Sequence, residues 1–232
     1  MDDRTTVLVV DDEQDIVSLM RDFLEAEGYA VLSAHDGPAA LDALGGNSVD
    51  CVLLDVMMPG QSGFDVLRRI REQGGDVPVL FLSARQEDSD KIRGLGLGAD
   101  DYIVKSATPG EIVARIKAVL RRYQRGEPQP DAILDYGRLV IDPRAHEVLV
   151  DGEPVQFTRR EFEILLLLAE NPRQVFARDD LYERFWGEFG DRHTLTVHIG
   201  RLREKIEEDP SNPRYIVTVW GVGYRFEGER RR

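Results

Sequence analysis

The 232-residue chain has no apolar run approaching the ~18 residues needed to cross a bilayer. Its first residues, Met1-Asp2-Asp3-Arg4, lack the basic-then-apolar order of a secretory leader, so the sequence reads as soluble and cytoplasmic. Cysteine is almost missing: Cys51 stands alone in the apolar stretch Val49-Asp50-Cys51-Val52-Leu53-Leu54. One thiol excludes both a disulfide framework and a cysteine-based metal cluster, and is expected to be a bystander in a core. Basic residues are outnumbered, 30 Lys and Arg against 43 Asp and Glu. A formal net charge of −13 excludes a protein that coats nucleic acid through broad phosphate neutralisation. Residues 1–130 carry 14 basic and 23 acidic side chains, whereas residues 131–232 carry 16 and 20. Any DNA-binding surface in the second half must therefore concentrate its positive charge locally.

What is present is a regular alternation. Short apolar runs at Val7–Val10, Ala30–Ala34, Val49–Leu54, Val79–Leu82 and Tyr102–Val104 predict five strands buried on both faces. Between them, apolar residues recur at helical spacing: Ile16, Leu19, Met20, Phe23 and Leu24; then Phe64, Leu67 and Ile70; then Ile112, Ile116 and Val119. Thr108-Pro109-Gly110-Glu111 reads as a capping box opening the last helix. Strand–helix alternation predicts a doubly wound five-stranded parallel sheet, an α/β domain over residues 1–122. A Gly- and Pro-containing polar stretch at 123–130 predicts a linker. The remainder, 131–232, predicts a small α+β domain. Strands are expected at Arg138–Ile141 and Glu147–Val150, a helix launched by the capping box Thr158-Arg159-Arg160-Glu161, two further helices near 178–186 and 192–208, and a terminal hairpin around Gly221 and Gly223.

In open parallel sheets, function gathers beyond the carboxyl ends of the strands, where strand order reverses. Asp11 and Asp12 follow the first predicted strand, Asp55 the third, Ser83 the fourth and Lys105 the fifth. A single aspartate in such a place would serve as a helix cap. Three carboxylates brought together repel one another and call for a cation, and an all-oxygen set suits Mg²⁺. A carboxylate beside a divalent ion and an ammonium group can attack phosphorus, which makes Asp55 the nucleophile candidate.

These residues, with the loop Met57-Met58-Pro59-Gly60, resemble the receiver domain of two-component response regulators, a flavodoxin-like fold, over residues 5–122. The resemblance implies Asp55 as phosphoacceptor, served by a histidine kinase. It implies Asp11, Asp12, Asp55 and the backbone carbonyl of Met57 as Mg²⁺ ligands, and Ser83, Tyr102 and Lys105 as phosphoryl-binding and switch residues. It further implies a homodimer face carrying Lys91, Asp100, Asp101, Glu111, Arg115 and Arg122. Gly94, Gly96 and Gly98 predict a labile helix beside that face. One departure stands out: the family usually has a cis proline after the lysine, and here Ser106 follows Lys105. A non-prolyl cis bond costs ~2.5–4 kcal/mol, so either a different lysine orientation or a looser loop is expected.

In the second half, Leu195, Ile199 and Leu202 share one side of a basic helix, a pattern suited to the DNA major groove. Thr218-Val219-Trp220-Gly221-Val222-Gly223-Tyr224-Arg225-Phe226 resembles the wing of the OmpR/PhoB-type winged helix-turn-helix, and the resemblance extends over residues 131–228. It implies DNA contacts from Arg192, His193, Thr194, Thr196, Val197, His198, Arg201, Arg203, Lys205, Trp220, Gly221 and Tyr224, tandem half-sites, and an RNA polymerase contact at 187–190. His193, Gly200 and Trp220 stand where many relatives carry Arg, which predicts weak monomer binding with a shallow salt dependence. Two other readings remain open: a phosphorylation-independent DNA-binding regulator, and a Mg²⁺-dependent phosphatase working through an aspartyl-phosphate.

Overall fold

The computed structural model describes residues 4–84, 88–124, 133–188 and 191–231, so the expected linker lies outside it beyond residue 124. The chain divides into two compact units, Met1–Gln124 with Phe185–Thr194, and Arg125–Arg184 with Leu195–Arg232.

In the first unit the elements run β1 (Thr6–Val10), α1 (Gln14–Ala26), β2 (Ala30–Ala34), α2 (Gly37–Gly46), β3 (Cys51–Asp55), α3 (Gly63–Glu72), β4 (Val79–Ser83), α4 (Asp88–Gly96), β5 (Asp101–Val104) and α5 (Pro109–Gln124). Side-chain oxygens start several helices: Asp36 accepts from Ala39 N at 2.8 Å, Ser62 from Asp65 N at 3.3 Å, and Thr108 from Glu111 N at 3.3 Å. The strands are all parallel, in the order β2-β1-β3-β4-β5. Strand order reverses at β1, between β2 and β3, and this opens a crevice at the carboxyl rim.

Alternation along each strand divides the apolar residues between the two faces of the sheet. Val7, Val9, Leu53, Leu80, Leu82 and Ile103 pack with Val17, Met20 and Leu24 of α1 and with Ile112, Ile116 and Val119 of α5, and Cys51 is buried among them as expected. Burying one such side chain contributes about 1.5–3 kcal/mol. Leu19 and Phe23, read from spacing as part of this stripe, are instead exposed on the outer side of α1. Phe81 of β4 points to the opposite face, its ring 5.1 Å from that of Phe64 in a T-shaped contact. A Cβ on Gly94 would come 2.9 Å from Phe81, so this glycine lets α4 lie close to the sheet. Gly98, with φ +94°, supplies the left-handed turn after α4. Two of the three glycines expected to loosen the helix thus have packing or turn roles.

The second unit, with the last two residues of α7 and the first two of α8 counted in the first, follows with β6 (Leu134–Asp135), β7 (Leu139–Asp142), β8 (Glu147–Val150), β9 (Glu153–Pro154), α6 (Arg159–Glu170), β10 (Val175–Ala177), α7 (Arg178–Trp186), α8 (His193–Ile206), β11 (Ile216–Val219) and β12 (Gly223–Phe226). A four-stranded antiparallel meander, β6-β7-β8-β9, precedes the helices, and a three-stranded sheet, β10-β12-β11, closes the unit. Thr158 and Glu161 form the expected reciprocal cap on α6, whose Phe162, Ile164, Leu165 and Leu168 are buried. The two-residue strands β6 and β9 and the three-residue β10 are too short for alternation to reveal; their pairing partners define them.

Candidate functional site

The sheet register builds the rim of the first unit. Asp55 ends β3 opposite Leu82, Ser83 lies opposite Val104, and Lys105 follows β5 directly. Ladder bonds run on past the strands, with Val56 N donating to Leu82 O at 3.2 Å, Lys105 N to Ser83 O at 2.7 Å and Asp11 N to Ala34 O at 3.2 Å. Asp11, Asp55, Ser83 and Lys105 are thereby held at one edge by backbone, not by chance rotamers.

The side chains converge. Lys105 Nζ lies 2.8 Å from Asp11 Oδ2, 3.0 Å from Asp55 Oδ2 and 2.8 Å from Glu13 Oε1. Asp55 Oδ1 accepts from Met57 N at 3.0 Å, and Asp11 Oδ1 accepts from Glu13 N at 2.9 Å. Burial raises the Asp55 carboxyl above its ordinary value and nearby Asp11 adds to the shift, while the bonds from Met57 and Lys105 oppose it. Burial pulls the Lys105 ammonium down, but its bonds to Asp11, Glu13 and Asp55 outweigh this and hold it above the ordinary lysine value. The lysine stays charged at neutral pH.

Asp11, Asp12 and Asp55 each offer one carboxylate oxygen, and these atoms lie within 4.8 Å of one another. Asp11 Oδ2 is buried and, beyond the Lys105 ammonium beside it, has no hydrogen-bond partner. A compact set of hard oxygens with one unsatisfied buried atom fits a divalent cation such as Mg²⁺. Tyr102 is buried on β5 with its ring 6.1 Å from that of Phe81, and Ser83 is fully buried. The Lys105–Ser106 bond is trans, yet Nζ still reaches Asp55, so the missing proline does not turn the lysine out of the pocket. Glu13 was not singled out from the sequence. Its only signal was its place in the acidic run Asp11-Asp12-Glu13.

Gly63, also unremarked in the sequence, supports the phosphoacceptor candidate from below. Its N–H donates to Val56 O at 3.0 Å, and a Cβ there would sit 2.2 Å from the backbone oxygen of Asp55. Of the residues expected on a dimer face, Asp101 pairs with Arg115 at 3.1 Å and Arg115 with Glu111 at 2.7 Å. Asp100 is buried and accepts from Val79 N at 3.0 Å, Lys91 lies half-buried on α4, and the side chain of Arg122 falls outside the described residues.

In the second unit α8 divides by face. Leu195, Ile199, Leu202 and Ile206 are buried, and Thr194 and His198 are buried with them, so these two leave the expected DNA-contacting set. The reason is helical period: His198 stands three residues after Leu195 and four before Leu202, on the core side. Tyr224 is buried too, with the guanidinium groups of Arg178 and Arg203 5.6 Å and 5.9 Å from its ring centre. Arg203 donates to Ile216 O at 2.9 and 2.7 Å and to Thr218 Oγ1 at 2.8 Å, tying α8 to β11. Lys205 pairs with Glu161. Glu207, unnoticed in the sequence, accepts from the backbone N–H groups of Arg214, Tyr215 and Ile216 and so begins the hairpin. Arg192 and Thr196 are exposed, and His193, Val197 and Arg201 are half-exposed. Gly221, with φ +75°, turns β11 into β12 and leaves Trp220 88% exposed at the tip. Of the 187–190 loop, residues 189 and 190 lie outside the described residues.

A doubly wound sheet with an acid, acid, hydroxyl and amine rim, joined to a winged helix, defines the class of regulator that couples a phosphorylation pocket to DNA. The family model for the response regulator receiver domain matches residues 7–117, and that for the C-terminal domain of transcriptional regulatory proteins matches residues 152–226. The transcriptional regulatory protein YvrH of Bacillus subtilis is 44% identical over 236 residues, covering 98% of this chain and 99% of its own. The sensory transduction protein RegX3 of Mycolicibacterium smegmatis is 43% identical over 228 residues, covering 97% and 100%. Among solved structures, DrrB, an OmpR/PhoB homologue of Thermotoga maritima, is 35% identical with a TM-score of 0.52, covering 97% of this chain and 100% of its own. The chain belongs to the OmpR/PhoB-type response regulators, DNA-binding transcription regulators rather than enzymes that turn over a substrate. No helix among the described residues is long and apolar enough to cross a membrane.

Proposed function

We propose that this chain is a cytoplasmic transcription regulator whose DNA binding is set by phosphorylation of Asp55 from a partner histidine kinase. The observation that carries the reading is the position of the Lys105 ammonium, 3.0 Å from Asp55 and 2.8 Å from Asp11, at the point where strand order reverses. A carboxylate there can form a bond to phosphorus while a fixed cation meets the charge on the transferred group. Asp11, Asp12, Asp55 and the Met57 carbonyl would hold Mg²⁺, which supplies further positive charge for the phosphoryl oxygens. Ser83 and Lys105 bind those oxygens, and Tyr102 on the neighbouring strand responds to the change.

The receiver, residues 1–122, then pairs with a second copy through the face of α4, β5 and α5, and residues 131–232 bind DNA beyond the 123–130 linker. The pairs Asp101–Arg115 and Arg115–Glu111 lie within one chain, so dimerisation would exchange existing ion pairs for intermolecular ones. Such exchange sets register more than affinity. Two wings and two recognition helices on tandem half-sites one turn apart, ~10–10.5 base pairs, raise the effective concentration of the second domain. Arg192 just before α8, His193, Thr196, Val197 and Arg201 on α8, and Trp220 and Gly221 at the wing form the DNA-facing set, and the 187–190 loop meets RNA polymerase. The test is selection of DNA sites by the full chain with and without an acyl-phosphate donor, comparing wild type with Asp55→Ala. Donor-dependent enrichment of paired half-sites only in wild type supports the reading; equal enrichment in all four arms overturns it.

A further inference from the structure

Glu13 occupies the N-cap of α1, with an extended backbone (φ −83°, ψ 104°), and its carbonyl accepts from Ile16 N and Val17 N at 3.1 and 3.2 Å. A carboxylate at such a place ordinarily turns to the unpaired N–H groups of the first turn. This one makes no capping bond and goes to Lys105 Nζ instead, at 2.8 Å. Meanwhile its own N–H is bonded to Asp11 Oδ1 at 2.9 Å, which fixes the start of the side chain against the pocket.

An ammonium group has three N–H donors. Lys105 donates to Glu13 Oε1 and Asp55 Oδ2 and has Asp11 Oδ2 2.8 Å away in an ion pair, so all three of its donors already face carboxylates. A phosphoryl oxygen arriving at Asp55 needs one of them, and one acceptor must leave. Asp11 and Asp55 side chains are 1% and 2% exposed, against 61% for Glu13. Water can replace the lost bond only at Glu13, so that is where the exchange costs least.

We propose that Glu13 is a positioning residue that holds Lys105 before modification and is displaced by the incoming phosphoryl group, thereby setting how readily the pocket captures a phosphoryl donor. The inference rests on the reading of Asp55 as phosphoacceptor. In the transfer, an Asp55 oxygen forms the new bond to phosphorus as the bond to the donor's leaving oxygen breaks. With an acyl phosphate, the electron pair departs on the acyl carboxylate. Glu13 gives up only its hydrogen bond from Lys105 and exchanges no proton.

The test uses the full chain, acetyl phosphate and Mg²⁺, with modification of Asp55 followed by intact mass. In Glu13→Gln, the donor concentration giving half-maximal rate should fall about three- to tenfold, with the maximal rate within about twofold of wild type. Because Glu13 acts through the lysine, the substitution should have no effect in a Lys105→Ala background. An unchanged or raised half-maximal concentration overturns the proposal, and so does an equal gain without Lys105. Gln at this position forfeits no capping bond, so the fold is not at risk. Should wild type take no phosphoryl group, the phosphoacceptor reading fails separately, and the Lys105 ammonium decides the tether. Glu13→Gln must then shift its ¹⁵N resonance and speed its proton exchange; an unaltered signal overturns the inference.

Discussion

Replacing Lys105 with methionine keeps the length of the side chain and removes its charge. Two of the carboxylates it faces, Asp11 at 2.8 Å and Asp55 at 3.0 Å, are almost wholly buried, while Lys105 itself is 14% exposed. Removing one member of a buried ion pair costs about 3–5 kcal/mol, because the partner's charge is left without compensation. The pair with exposed Glu13 contributes under ~1 kcal/mol. Partial exposure of the lysine, which lets water reach the charges left behind, reduces the total to about 2–4 kcal/mol. Urea denaturation of the full chain in chelator, following the first unit by hydrogen exchange, should show a midpoint lowered by about 1–2 M. With Mg²⁺ present the deficit should shrink, since an ion bound to Asp11, Asp12 and Asp55 replaces the missing positive charge and stabilises only the folded state. A loss under about 0.5 kcal/mol in chelator, or an equal loss with and without Mg²⁺, would refute the electrostatic account of this pocket.

Asp55→Asn should act in the opposite sense. A raised carboxyl favours folding below the ordinary value of 3.8 and loses that contribution as pH rises through the folded-state value, so in chelator the variant should be more stable than wild type at pH 7. The gain should vanish near pH 3 in pH-dependent thermal melts; a constant gain would contradict the assignment. Gly63→Ala forces a Cβ onto the backbone oxygen of Asp55 from a starting distance of 2.2 Å and should cost about 1–3 kcal/mol, with slowed modification of Asp55. Chemical denaturation and mass spectrometry check both, and wild-type values would rule out the tight support. Arg203→Ala loses its bonds to Ile216 O and Thr218 Oγ1 and should destabilise the second unit by about 2 kcal/mol, leaving the salt slope of DNA binding unchanged. Arg201→Ala should reduce that slope by about 1. Titrations on one duplex at several salt concentrations decide between them, and a lowered slope for Arg203→Ala would return it to the phosphate-contacting set.

The acidic rim was legible because a parallel sheet leaves little freedom at its carboxyl ends: once five apolar runs are recognised, the next residues must share one edge. The same logic found the capping box at Thr158, whose pattern is local. On α8 the apolar stripe was read correctly, but basic and polar residues were assigned to DNA by type. The structure gives Arg203 and Lys205 to β11 and Glu161, and buries Thr194, His198 and Tyr224. Leu19 and Phe23 show the converse, apolar residues that the core does not take.

By itself, then, the sequence determined the longer elements and their order, the doubly wound sheet, the winged-helix pattern and the convergence of Asp11, Asp55, Ser83 and Lys105, because periodicity and capping act over short stretches of chain and strand–helix alternation leaves a parallel sheet few arrangements. Only the tertiary structure decided that Lys105 is shared with Glu13, that Gly63 must lack a side chain, and that Arg203 and Glu207 hold the hairpin. Those facts depend on distances between residues far apart in the chain, or on the close approach of two backbones, and neither leaves a periodic trace.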